Sequence, residues 1–344
     1  MRTATTVELS DVGGVDLAVE AENLGLDICW VAEAWGSDAP SALGYLAALT
    51  DRMLLGSGVV QVGTRSPVVV AQTAITLSNL SNGRFLLGLG ASGPQVVEGL
   101  HGVSFSRPLS RIRETVDIVR QMFSGGKISY SRKEFQIPRP GGEAVPMRLS
   151  ARPEHHIPIY LAALSPAMLR LTGEIADGWL APASCPKEPQ TLTLPTLTPG
   201  WPPPGALGRT STSAKAPKSL SPQTKTNCAA WSRAAKKELA FSLGGMGSSS
   251  TNYCNQAYGR QGWADVAAEV RESWQRGDRD GAAGLVTDEM VLATTLIGTE
   301  QMVRARLAVW KDAGVNTVRL YPAGDTLDAK LSTLGRAIEL ARDV

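Results

Sequence analysis

Arg84-Phe-Leu-Leu-Gly-Leu-Gly-Ala-Ser-Gly-Pro-Gln95 is a short apolar run that ends in closely spaced glycines and turns into a helix opening at Pro94. A strand end of this kind leaves backbone N–H groups bare and lets a bulky, anionic ligand approach the main chain. Gly88-x-Gly90-x-x-Gly93 also fits a dinucleotide fingerprint. A Rossmann unit would need an acid at a strand end about 20 residues on, and Glu114 at that distance lies inside a helical pattern. The stretch therefore predicts a cofactor turn between a strand and a helix, without naming the cofactor.

The same strand–loop–helix rhythm extends on both sides of it. Residues 15–24 place Val15, Leu17, Ala18, Ala21 and Leu24 on one helical face, with Gly25 at the C-cap. Residues 27–32 read as a buried strand, 40–50 as a helix and 53–60 as a strand. Ser66-Pro67 supplies an N-cap and an N1 proline for a helix that Gly83 closes. Downstream, Ile112, Val116, Val119 and Phe123 mark a helix, 157–162 a strand, Ser165-Pro166 a second Ser-Pro helix start, and Trp179-Leu-Ala181 a strand. Val303, Leu307 and Trp310 mark a helix closed by Gly314, and 315–321 is the last strand. Strands alternating with helices predict right-handed βαβ units and a parallel sheet, and about seven or eight units predict a closed (β/α)8 barrel, an α/β TIM barrel.

Two places break the rhythm. Thr3–Leu9 is the one candidate for the first strand, and its apolar content is poor. Residues 189–237 hold no Asp or Glu, seven Lys or Arg, and the run Trp201-Pro-Pro-Pro204. That segment, rich in Pro, Ser and Thr, shows neither helical nor strand periodicity, so it reads as a loop or a disordered segment within a single domain spanning 1–344. A local reading-frame shift or a genuine insertion would each produce it, and neither would give a native barrel strand.

Composition narrows the function classes. At 344 residues, 43% hydrophobic, the chain can bury a large core. Its mean hydropathy is −0.05, and no apolar run reaches the ~20 residues of a membrane span. A net charge of +2 is too small to argue for nucleic acid or an acidic membrane as partner. Cys29, Cys185, Cys228 and Cys254 form no C-x-x-C pair and no metal-like spacing with His, which predicts reduced thiols in a cytoplasm and no structural zinc.

Several further motifs, in order, resemble one family. Glu33-Ala-Trp-Gly-Ser-Asp38, Leu80-Ser-Asn-Gly-Arg84 and Ser92-Gly-Pro-Gln-Val-Val-Glu-Gly99 look like the luciferase-like flavin and deazaflavin oxidoreductases. Ile157-Pro-Ile-Tyr-Leu161, Ile175-Ala-Asp-Gly-Trp179, Leu243-Gly-Gly-Met-Gly247 and Ala313-Gly-Val-Asn-Thr317 extend the likeness over 15–182 and 238–323. It is nearest to the branch that uses coenzyme F420, an 8-hydroxy-5-deazaflavin. The resemblance implies a luciferase-like (β/α)8 barrel with the ring system of F420, or alternatively FMN, at the mouth where the strands end. It implies a small-molecule substrate and is compatible with a homodimer.

Candidate residues cluster on the loops that follow strands, where barrels carry their chemistry. Gly88, Gly90, Ser92 and Gly93 would let N–H groups and a hydroxyl reach the cofactor, with Gln95 beside them; a tight turn is the plainer explanation. Glu33 could orient a proton transfer and Trp35 could stack on the cofactor or wall the pocket, against a helix-capping Glu and a packed Trp. Flavin luciferases carry a functional His near this point, where the chain has Ala34. That favours hydride transfer by a deazaflavin over oxygen chemistry. Gln61, Thr64 and Arg65 follow the third strand, and Arg65 could pair with a phosphate or carboxylate of the cofactor tail. Ser165, with Ala163, opens a helix whose N-terminus favours phosphate, although the family more often has glycines there. His101 could line the substrate side. His155 and His156 read as surface, and Trp179 as a strand residue able to pack beneath the cofactor. A third alternative is a degraded, non-catalytic barrel.

Overall fold

The computed structural model describes residues 1–9, 11, 13–181, 216–217, 225–247 and 251–344. Among the described residues there are eleven strands: β1 (Arg2–Val7), β2 (Ile28–Val31), β3 (Leu54–Ser57), β4 (Val60–Gln61), β5 (Phe85–Gly90), β6 (Tyr130–Ser131), β7 (Gln136–Ile137), β8 (Ile159–Ala162), β9 (Gly178–Leu180), β10 (Ala216–Pro217) and β11 (Thr317–Tyr321). One nine-stranded sheet runs β10-β11-β1-β2-β3-β5-β8-β9, with β4 attached to β5, and β6 and β7 form a separate hairpin. Every pairing in the large sheet is parallel.

That sheet curls. Trp30 on β2 and Tyr160 on β8 are three strands apart in the path, about 14 Å in a flat sheet at ~4.8 Å per strand. Their ring centroids lie 5.6 Å apart, edge to face. They meet because both side chains point inward, with Ala4, Ile28, Leu86 and Leu180 around them. Glycine at two strand positions makes the room. A Cβ on Gly56 would stand 2.2 Å from the Trp30 ring, and one on Gly178 would stand 2.1 Å from the Tyr160 ring. The architecture is the expected α/β arrangement of a curled parallel sheet, its main path holding eight strands. Among the described residues no ladder joins β9 to β10.

Helices cover the outside as the caps predict. Ser66 and Ser165 accept from the N–H groups of Val69 and Met168, each at 3.3 Å, and start helices Pro67–Leu80 and Pro166–Ile175. Gly25 and Gly83, at φ +85 and +79, end the helices before β2 and β5. The helix faces and the outward sheet residues form the main apolar core, from Leu17 and Leu43 through Ile112 to Trp310 and Leu340.

Three expectations need correction. The first strand is central, paired to β2 and β11, despite its poor apolar content. Its threonines Thr3 and Thr5 are fully buried because each has a partner: Thr3 Oγ1 donates to Asp27 at 2.9 Å and Thr5 Oγ1 to the Leu320 carbonyl at 2.8 Å. The aperiodic segment ends earlier than 237, since Lys225–Ala240 is a helix whose Ala235 and Leu239 are buried. Within it, Ala216–Pro217 pairs parallel with Leu320–Tyr321; the rest of 189–224 lies outside the described residues. Finally, helices Tyr253–Tyr258, Ala264–Gln275, Arg279–Leu285 and Asp288–Thr294 build a second apolar core around Trp263 and Met290 that the strand–helix rhythm does not announce. The closing helix, Leu327–Arg342, is equally unannounced.

Candidate active site

The carboxyl ends of the strands carry most of the predicted residues. After β2, the chain enters a loop that Gln61 of β4 clamps: its Nε2 donates to the carbonyls of Glu33 and Ala34, both at 3.0 Å. Arg65 closes the same loop from the other side. Its Nε donates to Glu33 Oε1 at 3.1 Å, and its terminal nitrogen pairs with Glu33 Oε1 at 3.0 Å and with Asp38. Burial alone would raise the Asp38 carboxyl; the Ser41 hydrogen bonds and Arg65 outweigh it, so Asp38 titrates below the usual range. Burial likewise acts to lower Arg65, and Glu33 and Asp38 overcome it and raise it. Arg65 therefore organises the loop and is already neutralised. The expected pairing with a phosphate tail would therefore have to compete with two carboxylates.

Two acceptors in this cluster stay unsatisfied. Glu33 Oε2 and Gln61 Oε1 are both buried and have no hydrogen-bond partner among the described residues. Buried polar atoms are nearly always paired, so these two acceptors retain bonding capacity where the strands end. Trp35, 65% exposed, stands on the same loop. It is thus a rim residue and not a packed one.

The glycine turn divides into two halves. Gly88 and Gly90 are structural: Gly88 N–H donates to Ser57 Oγ at 2.9 Å, and Ser57 Oγ donates back to the Gly88 carbonyl at 2.9 Å. A Cβ on Gly88 would stand 1.9 Å from the Ser57 carbonyl oxygen, and one on Gly90 would stand 2.6 Å from Val59. Their glycines serve strand packing, which corrects the expectation of bare N–H groups at Gly88. Ser92 and Gly93 lie beyond the strand. Ser92 holds φ +62, the left-handed region that a serine rarely adopts. Gly93 precedes the single turn Pro94–Val97. Gln95 and His101 are exposed on this loop.

After β8, Ala163 is buried and its carbonyl accepts from Trp179 Nε1 at 3.0 Å, so Trp179 packs in the main core. Ser165 caps its helix, and the terminal nitrogen of Arg260 donates to the neighbouring Leu164 carbonyl at 2.6 Å. Burial holds the Arg260 guanidinium below its ordinary pKa. No local motif could announce Arg260, because only the fold brings Gly259–Trp263 to the loop after β8. Asp38 escapes a sequence reading for a different reason: its capping of helix Ala39–Leu49 conceals its pairing with Arg65. Glu114 accepts from the N–H groups of Glu134 and Phe135, both at 3.0 Å, and so anchors the hairpin. His155 and His156 are exposed before β8, at the opposite end of the barrel.

Comparison with known proteins supplies the family and the fold relatives. The family model for luciferase-like monooxygenases matches residues 13–317. A Mycobacterium tuberculosis protein named as a coenzyme F420-dependent oxidoreductase is 36% identical over 315 residues, 90% of each chain. The 5,10-methylenetetrahydromethanopterin reductase of Archaeoglobus fulgidus is 30% identical over 320 residues, 92% of each chain. Among solved structures, the coenzyme F420-dependent tetrahydromethanopterin reductase of Methanopyrus kandleri superposes with a TM-score of 0.73 at 22% identity, covering 98% of this chain and 97% of that one.

Proposed function

We propose, because this chain belongs to the luciferase-like monooxygenase family, that it is a cytoplasmic F420-dependent oxidoreductase moving a hydride between the deazaflavin and a small organic substrate. The observation that carries this is the orphaned pair Glu33 Oε2 and Gln61 Oε1, buried where the strands end. Both are acceptors, and the ring and polyol chain of a deazaflavin offer N–H and O–H donors. When bound, the deazaflavin supplies a carbon that gives or takes hydride and reacts poorly with oxygen.

The chain's own residues would bind and orient. Arg65 fixes the Glu33 carboxylate and Gln61 fixes the backbone beneath it, so the acceptors need no reorganisation when a ligand arrives. Trp35 offers an exposed indole face at the rim. The helix start at Ser165 and the Arg260 cation support a site for an anionic tail. Ala34 stands near the point where the resemblance to flavin luciferases implies a functional His, which supports hydride transfer over oxygen activation. Spectral titration with F420 and with FMN tests the proposal, since the two chromophores absorb differently. Saturable F420 binding is the expected result. Tight FMN binding with NADH-driven oxygen uptake, and no deazaflavin binding, would overturn it.

A further inference from the structure

Arg319 is an unusual residue for the inside of a barrel. It lies on β11, two residues before Tyr321, and is half-buried. Barrel interiors are normally filled by layers of apolar side chains, and a charge there is normally paired. Arg319 takes part in no salt bridge among the described residues. Between 182 and 224 the sequence offers a single acid, Glu188. The guanidinium carbon sits 5.9 Å from the Trp30 ring, and one terminal nitrogen reaches Tyr321 Oη at a long 3.5 Å. Its Nε is buried without a hydrogen-bond partner among the described residues.

These contacts also give the direction of the side chain. Thr5 pairs with Leu320 and Thr6 with Trp30, so Tyr321, Thr6 and Trp30 share the layer nearer the carboxyl ends of the strands. Arg319 starts one layer below and reaches toward them. Tyr321 Oη in turn donates to Thr6 Oγ1 at 3.4 Å, so the three side chains form one polar patch. A guanidinium presents coplanar donors that match two coplanar acceptor atoms.

We propose that Arg319, backed by Tyr321 and Thr6, is a receptor for a planar oxyanion at the floor of the barrel mouth. Two sources carry that chemistry: a carboxylate on the substrate, or the anionic N–C=O edge of a reduced deazaflavin. The second source rests on the function proposed above, and the first does not.

Calorimetric titration of the full chain with benzoate, and fluorescence titration with oxidised and reduced F420, separate them. Arg319→Gln should weaken one of these ligands by about tenfold or more, with circular dichroism unchanged. Loss of benzoate with both cofactor forms unaffected assigns the site to a substrate carboxylate. Selective loss of reduced over oxidised F420 assigns it to the cofactor edge. Unchanged binding of all three overturns the proposal, as does a wild-type protein that takes up no benzoate and binds the two cofactor forms equally. Should neither form of F420 bind, the functional proposal fails while the benzoate titration still decides Arg319. If Arg319→Gln does not fold, Arg319→Lys decides: it keeps the charge and loses the fork, so weakening by about threefold or more supports the proposal and no change overturns it.

Discussion

The two ends of the barrel treat polar groups in opposite ways. At the amino ends of the strands, three carboxylates and Arg84 are spent on backbone and hydroxyl partners. Glu22 accepts from the N–H groups of Asp51, Arg52 and Met53, the last two at 2.6 Å. Arg84 donates to Thr50 Oγ1 and to the carbonyls of Ala47, Thr50 and Met53. Asp27 holds Thr3 N–H and Asp177 holds Ile159 N–H, both at 2.8 Å. At the carboxyl ends, Glu33 Oε2 and Gln61 Oε1 are buried and unspent. The first set ties strands and loops together, while the second leaves two acceptors for the ligand proposed above. Substitutions at the first should cost stability, and at the second, binding.

Arg84→Ala is the hardest test of that division. It strips four acceptors of a charged donor at once and should cost about 3 kcal/mol of stability, read by chemical denaturation. F420 affinity should stay within about twofold, because nothing at the mouth is touched. A large loss of affinity in a folded Arg84→Ala protein would break the comparison.

Glu22→Gln should cost about 2 kcal/mol at neutral pH, since a neutral amide is a poorer acceptor for three N–H groups. Its pH dependence follows from the carboxyl. Burial pushes it up, and the three backbone donors and Arg52 outweigh that, so the folded group titrates below the ordinary glutamate value. The stabilisation is therefore present above the unfolded value and is lost as pH falls through the folded one. Melting temperatures of the wild type and Glu22→Gln should differ at pH 7 and converge in strong acid.

Much of this division is legible in the sequence, but only at its local level. Ser66-Pro67, Ser165-Pro166, Gly25 and Gly83 announce helix ends because caps are made by residues adjacent in the chain. Gly88 and Gly90 are legible as necessary glycines and misleading as to why, since Ser57 and Val59 press on them from outside their own strand. The threonines of β1 look too polar for a central strand because Asp27 and Leu320, which satisfy them, are distant in sequence. Arg65 illustrates the same limit at the site. A loop arginine suggests an anion, and only the fold shows that Glu33 and Asp38 already supply it.

The smallest expected change in stability belongs to Glu33→Gln, and it is the sharpest probe of the open end. Arg65 keeps Asp38 as its carboxylate partner, and the new amide oxygen can still accept from Arg65. Folding stability should therefore fall by less than about 1 kcal/mol, in the range of partly exposed ion pairs. The oxygen that is now orphaned becomes an N–H₂ group, a donor facing the ligand's own donors. F420 affinity should drop by about tenfold, equivalent to about 1.4 kcal/mol. Gln61→Glu supplies the control from the other acceptor, because it keeps an oxygen at the orphaned position while losing the donor that clamps the Glu33 and Ala34 carbonyls. If Glu33→Gln costs stability as Arg84→Ala does and leaves binding intact, the carboxyl end of the barrel is scaffold as well, and Glu33 is a capping residue with no ligand to meet.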